Sequence, residues 1–402
     1  IRDRFNPAKQ ISHYPQRGTF RGFRRSSNRG VGTRNHVVIL AASSAASSYV
    51  RKLARDCSSL SDPLQNVDGI VAVAHTEGGN PTKPNNIDYV LRTLAGFMVH
   101  PNVGAVLVAD NPAGWIRNGL IRDFLAENSY PISEIPHAFL SLDPGFEKSL
   151  VKGRETITGW LDEVNSAKRT LQPLSELKLA LQCGGSDSFS GVSANPLVGR
   201  LAKEIIRHGG TANLAETVEL VGAESYLLNS VSDLQTAERF LDFVENFKKK
   251  MSWHGHSPEG NPSGGNRFRG LYNISVKSLG AAMKKDPEVR LDFAIDYSEP
   301  MKEPGFYFMN SPGNDLENAR RAGLGDTRQH PPQSRSRSRF DLGGYGHTLP
   351  TRDFLQTPSR FRQPHQRRRN RRIETPMLGR LHGESRQRLS PTGQRTEDQK
   401  EE

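Results

Sequence analysis

Three loops hold residue types that do chemistry. His75 and Glu77 stand two apart and are followed by Gly78-Gly79. An imidazole and a carboxylate beside exposed backbone suit a metal site or an acid–base pair; a packed histidine is the plainer alternative. Gly32-Thr33-Arg34-Asn35-His36 lies just before an apolar run. Arg34 offers a fork for a carboxylate, Asn35 both donates and accepts, and His36 titrates or ligates a metal. The alternative is that Arg34 and Asn35 satisfy turn backbone while His36 packs. In residues 182–187, Gly184-Gly185 lets backbone N–H groups approach an anion, and Ser186 and Asp187 either contact substrate or cap the next helix. Cys183 is a ligand, a nucleophile or simply a small buried residue. Glu216 and Glu219 supply a general base or a metal carboxylate, or only charge a first helical turn. Lys277 beside Ser278 steadies an anion or is solvated. There is no P-loop, HExxH, GxSxG or paired CxxC, so spacing alone names no reaction.

These residues need elements to hold them. Residues 37–40, 69–73 and 103–109 are short apolar runs rich in β-branched side chains, and 137–142 is a fourth such run. Helical spacing separates them at 46–57, 86–99 and 120–128. Strands alternating with helices predict a parallel sheet covered on both faces. Such sheets bind ligands at the carboxyl ends of their strands, which singles out the loops at 41–44, 75–80 and 110–114. A second unit starts near residue 172. Its strands are expected at 177–182, 211–215, 290–297 and 305–309, and its helices at 196–207, 236–250 and 275–285. The stretch 253–271 is rich in Gly, Asn and Pro and is too long to be an idle loop. The fold class is therefore α/β: two α/β domains with mostly parallel sheets, followed by a disordered basic tail. The boundaries are 1–16 (disordered), 17–168 (first domain), 169–317 (second domain) and 318–402 (tail).

Charge supports that division. The chain of 402 residues carries a net +12, but residues 318–402 hold 19 Lys and Arg against 9 Asp and Glu. The body is nearly neutral, so nucleic-acid binding is disfavoured for it. Only 15 of the 85 tail residues are hydrophobic, too few to offset chain entropy by burial. Ser334-Arg335-Ser336-Arg337-Ser338-Arg339 and the run at 367–372 read as phosphate contacts, as a solvated tail, or as coding sequence translated in a wrong frame. No run approaches a membrane span and no secretory signal is read, so the chain is not expected at a membrane. Two cysteines exclude a disulfide framework and point to a reducing, cytoplasmic setting.

Residues 177–196, LKLALQCGGSDSFSGVSANP, resemble the signature of the altronate/galactarate dehydratase family. Gly30-Val31-Gly32-Thr33-Arg34-Asn35-His36-Val37 is similar to its N-terminal landmark. Further matches follow in order. They are His75 with Gly78, Arg92-Thr93-Leu94-Ala95-Gly96, His100-Pro101-Asn102-Val103, Ala215-Glu216-Thr217 with Gly222-Ala223-Glu224, the run 261–266, Lys277-Ser278, and Ser311-Pro312-Gly313-Asn314-Asp315. The resemblance covers about residues 17–317. It implies a hydro-lyase that takes water from a sugar acid and yields a 2-keto-3-deoxy acid, with iron or another divalent metal.

On that resemblance His36, His75, Glu216 and Lys277 are catalytic candidates, with His75 and Glu216 as metal ligands. Arg34 and Lys277 would hold the carboxylate. Asn35, Ser186, Asp187, Asn195 and Asn266 complete the substrate site. The chain departs from the family pattern in three places. Gly79 stands where a cysteine is common, Asp110-Asn111-Pro112 replaces a Gly-Cys-Glu-like site, and the Arg-rich tail replaces Gly-rich apolar strands. The first two remove soft ligands and open the way to Mg²⁺ or Mn²⁺. They also allow a related lyase that expels another group, such as sulfite. The third allows a truncated sugar-acid-binding pseudo-enzyme. A homo-oligomer is possible.

Overall fold

The computed structural model describes residues 6–16, 18–26, 29–143, 145–183 and 186–311, together with the backbone of one strand at Arg339–Leu342. The rest of the basic tail, Gly184-Gly185 and Pro312-Gly313-Asn314-Asp315 lie outside the described residues. The described residues fall within one compact unit, Ile1–Leu355.

The first lobe is a four-stranded parallel sheet in the order β4-β3-β5-β6. Its strands are β3 (His36–Ala41), β4 (Gly69–Val73), β5 (Val103–Asp110) and β6 (His137–Ser141). Strands buried on both faces must be apolar throughout, and VVILA and AVLVA are. Helices α1 (Ser47–Cys57) and α4 (Phe146–Ser166) cover one face, burying Tyr49, Leu53 and Ile157. Helices α2 (Ile87–Met98) and α3 (Asn118–Glu127) cover the other, burying Leu94, Phe97 and Ile121.

The second lobe has the order β10-β11-β9-β8-β12. Strands β8 (Lys178–Gln182), β9 (Thr211–Leu214), β10 (Phe293–Ile295) and β11 (Gly305–Met309) are parallel, and β12 (Arg339–Leu342) adds antiparallel to the edge of β8. An open strand edge offers unpaired N–H and C=O groups, which is why an extended segment can add there. That strand lies inside the range assigned to a disordered tail. The helices are α5 (Ser188–Val192), α6 (Ala194–Arg207), α7 (Glu224–Leu228), α8 (Leu234–Trp253), α9 (Gly264–Phe268) and α10 (Ile274–Ala282). Phe240 of α8 meets Phe308 of β11 edge-on, with ring centroids 4.9 Å apart, in the centre of this core.

A small antiparallel sheet joins the lobes. Strand β1 (Thr19–Arg24) pairs with β2 (Val31–Gly32) on one side and with β7 (Thr170–Pro173) on the other. It ties the chain's entry into the first lobe to its exit. Residues 6–16, expected to be disordered, are pinned to the second lobe. Ala8 and Tyr14 donate backbone N–H groups to Val231 and Arg207, and the Gln10 amide reaches Arg290 O and Asp292. Backbone paired in this way is held without forming a helix or strand.

Candidate functional site between the lobes

The carboxyl ends of the first sheet and of the second border one cavity of about 350 Å³. From the first lobe come His75 and Glu77, in the loop after β4, and one face of α2. From the second come Tyr297, Asn310 and Ser311, in the loops after β10 and β11, and one face of α8. Asn86, Tyr89, Val90, Thr93, Leu94 and Phe97 repeat at helical spacing, as do Phe243, Asn246, Phe247, Lys250, Met251 and His254. The walls are mostly apolar, and Lys250 and His254 are exposed on the rim. The lobes touch beside this cavity. The rings of Tyr89 and Tyr297 meet edge-on at 5.7 Å, Thr93 and Ser298 hydroxyls are 3.0 Å apart, and Arg92 pairs with Asp296 at 3.5 Å.

At the second-lobe end a polar network crosses three strand ends. Glu216, just past β9, is 1% exposed. Its Oε2 accepts the Cys183 N–H at 2.6 Å, and its own N–H donates to Ser311 Oγ at 2.7 Å. Thr217 locks the arrangement. Its Oγ1 accepts from Ser311 N–H and donates to Asn310 Oδ1, which sits beside the Asp296 contact. Glu216 has φ 76° and ψ 88°, a left-handed backbone that costs a non-glycine residue about 1–3 kcal/mol. Such a conformation persists where its surroundings over-determine it, as these cross-strand bonds do.

A second cluster adjoins it. Glu219 N–H donates to Glu216 O. The Glu219 carboxylate pairs with Lys277 Nζ at 2.9 Å, both groups 7% exposed, and Lys277 also donates to Asn261 Oδ1. Glu219 Oε2 and Ser278 Oγ are buried without a hydrogen-bond partner among the described residues. A buried cation beside unmet polar atoms suits a hydroxylated, anionic ligand. Cys183 Sγ lies 2.9 Å from Ser186 Oγ, and Ser186 O accepts from Asn266 Nδ2 at 2.8 Å.

The structure therefore brings together Ser186, Glu216, Asn266 and Lys277 beside the cavity, which Ser311, the partner of Glu216, lines from the second lobe and His75 lines from the first. Asp187 and Asn195 sit nearby with backbone duties. Asp187 caps α5, accepting Ser190 N–H at 2.6 Å in a capping box, and Asn195 Nδ2 donates to Gly280 O. Arg34, Asn35 and His36 are not brought to the cavity. They lie at the amino end of β3, and five residues of strand carry the chain roughly 16 Å to its carboxyl end. At the amino end Arg34 pairs with Asp68 at 3.5 Å. Asn35, fully buried, donates to Asn66 O and Val164 O, and His36 N–H donates to Asn102 O. These residues tie together loops at the amino end of the first sheet.

The residues present do not fit a resident divalent metal. Both His75 nitrogens are engaged, Nε2 with Ala41 O at 2.9 Å and Nδ1 with the Glu77 N–H at 3.2 Å. This is a satisfied neutral imidazole. A side chain at Gly79 would begin 1.9 Å from Ser44 Oγ and 3.1 Å from Ala45 N, so the loop closes on glycine. Asp110 holds the first turn of α3 through Asn118 N–H. Among the described residues no three His, Cys, Asp or Glu side chains gather as a ligand set. No step below is routed through a metal.

Residues outside the earlier candidate set also belong here. Ser311 and Asn310 follow β11 and are visible to the rule that places ligands after parallel strands. Asn261 comes from the long loop flagged for its length. The α2 and α8 walls are signalled by their helical spacing, but nothing in that spacing separates a cavity wall from a core face.

The comparisons with known proteins agree with this division. Residues 22–165 match the family model described as "D-galactarate dehydratase/Altronate hydrolase, second domain", and 174–324 match "D-galactarate/Altronate dehydratase, C-terminal". Altronate dehydratase of Escherichia coli (strain K12) is 32% identical over 292 residues, 72% of this chain and 57% of that protein. Altronate dehydratase of Bacillus subtilis (strain 168) is 31% identical over 302 residues, 74% and 58% respectively. The (2R)-sulfolactate sulfo-lyase subunit beta of Chromohalobacter salexigens is 29% identical over 295 residues, 73% and 71%. The chain thus spans less than three-fifths of the altronate dehydratases it matches. No helix among the described residues is long and apolar enough to cross a membrane. With both lobes matched in order, the chain belongs to the D-galactarate/altronate dehydratase family.

Proposed function

We propose that this chain is a hydro-lyase acting on a sugar acid such as altronate or galactarate, releasing water to leave a 2-keto-3-deoxy acid. The observation that carries the reading is Glu216: a buried carboxylate in strained backbone, gripped by Cys183 and Ser311 where two strands end. The proton beside a carboxylate is weakly acidic, so its removal needs a positioned base and nearby positive charge. Glu216 takes that proton. Lys277, screened from water by Glu219 and Asn261, bears on the enediolate that forms. The hydroxyl on the next carbon leaves as water, carrying the proton that Glu216 removed. The enol then becomes the ketone. Ser186 and Asn266 align the hydroxyls.

Glu216→Gln keeps size and acceptor oxygen but removes the base. It is expected to lower kcat at least about 100-fold, with KM little changed, in an assay of 2-keto-3-deoxy acid from a panel of aldonates and aldarates. Turnover equal to the parent protein rejects the assignment. A second reading has its own support: the sulfo-lyase subunit is matched over 71% of its length, more than either altronate dehydratase. Loss of sulfite from a sulfonated hydroxy acid shares the proton-abstraction half. Sulfite release, with no keto-deoxy acid from any sugar acid, selects it.

A further inference from the structure

The run Arg92-Thr93-Leu94-Ala95-Gly96 takes no part in the proposed chemistry, yet it sits where the lobes meet. Arg92 lies on α2 of the first lobe, and its Nη2 faces Asp296 Oδ2 across the junction at 3.5 Å. Asp296, just past β10, stands at the outermost of three strand ends. Its other oxygen, Oδ1, accepts from Asn310 Nδ2 at 3.0 Å. Asn310 Oδ1 accepts from Thr217 Oγ1 at 2.8 Å, and Thr217 Oγ1 accepts from Ser311 N–H at 3.2 Å. Ser311 Oγ accepts the Glu216 N–H at 2.7 Å. A continuous chain of polar contacts thus runs from a guanidinium on one lobe to the backbone of the buried carboxylate on the other.

The chain of contacts has one direction. A carboxylate only accepts, so the Asn310 amide must turn Nδ2 toward Asp296 and its oxygen toward Thr217. The Thr217 hydroxyl has a single proton. Once that goes to Asn310, the hydroxyl oxygen receives the Ser311 N–H. Each orientation follows from the negative charge of Asp296, and Arg92 is the cation paired with that charge. The far end is the place that needs holding. Glu216 keeps φ at 76°, a costly backbone for a residue with a Cβ, and Ser311 grips its N–H there. Thr217 is fully buried, so water does not stand in for a lost partner. We infer that Arg92 is a positioning residue for the proposed dehydration: from the first lobe it steadies, through Asp296, Asn310, Thr217 and Ser311, the backbone that aims Glu216. The inference rests on the reading of Glu216 as the base. Lobe contact and base placement are then linked, and the base is fully placed only while the lobes are together.

Amide hydrogen exchange of the full chain tests the link without any activity. Arg92→Met keeps an unbranched stem and drops the charge, and Asp296→Asn keeps the shape. Each is expected to speed exchange at the Glu216 and Ser311 amides about fivefold. The Phe306 amide, which donates to Asp292 at the other end of β11, is expected to hold its rate, which separates a local effect from a general loss of stability. Arg92→Lys is expected to restore slow exchange, because the contact runs through one nitrogen. Turnover gives the second readout. Arg92→Met is expected to lower kcat about fivefold with KM little changed, and Arg92→Lys to recover it. Unchanged exchange at Glu216 and Ser311, or equal acceleration at Phe306, overturns the inference. A raised KM with kcat intact also overturns it, because Arg92 would then be meeting substrate itself. So does an unchanged kcat in Arg92→Met beside an inactive Glu216→Gln. Full turnover in Glu216→Gln instead removes the base assignment, while exchange still decides the link between the lobes.

Discussion

Residue types alone leave each candidate two roles, and burial with partners decides between them. Lys277 shows this. A lysine on a helix is usually solvated, yet here it is 7% exposed and closed in by Glu219 and Asn261. Removing one member of a buried pair strands the other's charge, which costs about 3–5 kcal/mol, whereas neutralising both costs far less. Lys277→Met and Glu219→Gln are therefore each expected to destabilise the chain by about that amount. The double variant is expected to be more stable than either single one, as read from urea midpoints in a double-mutant cycle. Additive losses would show that the two groups act independently. Sequence could not reveal this pairing, because Glu219 and Lys277 are far apart in the chain and meet only through tertiary folding. The amino-end trio lies away from the cavity for a different reason. Arg34, Asn35 and His36 have the right types for an anion site but precede their strand, and a parallel sheet offers its ligand side where strands finish.

At the scale of elements the apolar runs were informative. The runs at 37–40, 103–109 and 305–309 became buried parallel strands, since a strand covered on both faces has to be apolar at every position, and 69–73 became a half-buried parallel strand at the sheet edge. Patterns diluted by charge or glycine were silent. Strand β1, TFRGFR, alternates arginine with its two phenylalanines, and α4 interrupts its 21 residues with Gly153 and Gly159, so neither stood out. Short helices such as α5 have too few residues to show a period. They are set by their caps, and that gives a prediction. Asp187 holds α5 through Ser190 N–H. Asp187→Ala is expected to cost about 1 kcal/mol in thermal or urea unfolding, while Asp187→Asn, also a good cap, restores most of it. If Asn also retains turnover, the role is capping alone. If stability returns while KM rises, the carboxylate also meets substrate.

For the whole molecule, a buried ammonium at the amino end of the second sheet, opposite the candidate site, makes one contribution to how stability follows pH. Lys285 is 1% exposed at the end of the α10 segment, facing the Tyr226 ring at 5.7 Å. Burial lowers its pKa from 10.5 to about 8, against the pull of Asp286 and Asp292. Below pH 8 the group is protonated in both folded and unfolded chains, and the cost of burying the charge is constant. Between about 8 and 10.5 the unfolded chain binds the extra proton, so this group's contribution to stability rises with pH through that window. The full change is at most about 3 kcal/mol. Lys285→Met keeps length and packing but carries no charge. It is expected to be more stable than the parent chain at pH 7, with the advantage shrinking as pH approaches 10. Taking the difference between the two proteins cancels every other group that titrates there. An advantage that stays constant with pH would mean that packing, and not the buried ammonium, sets the cost.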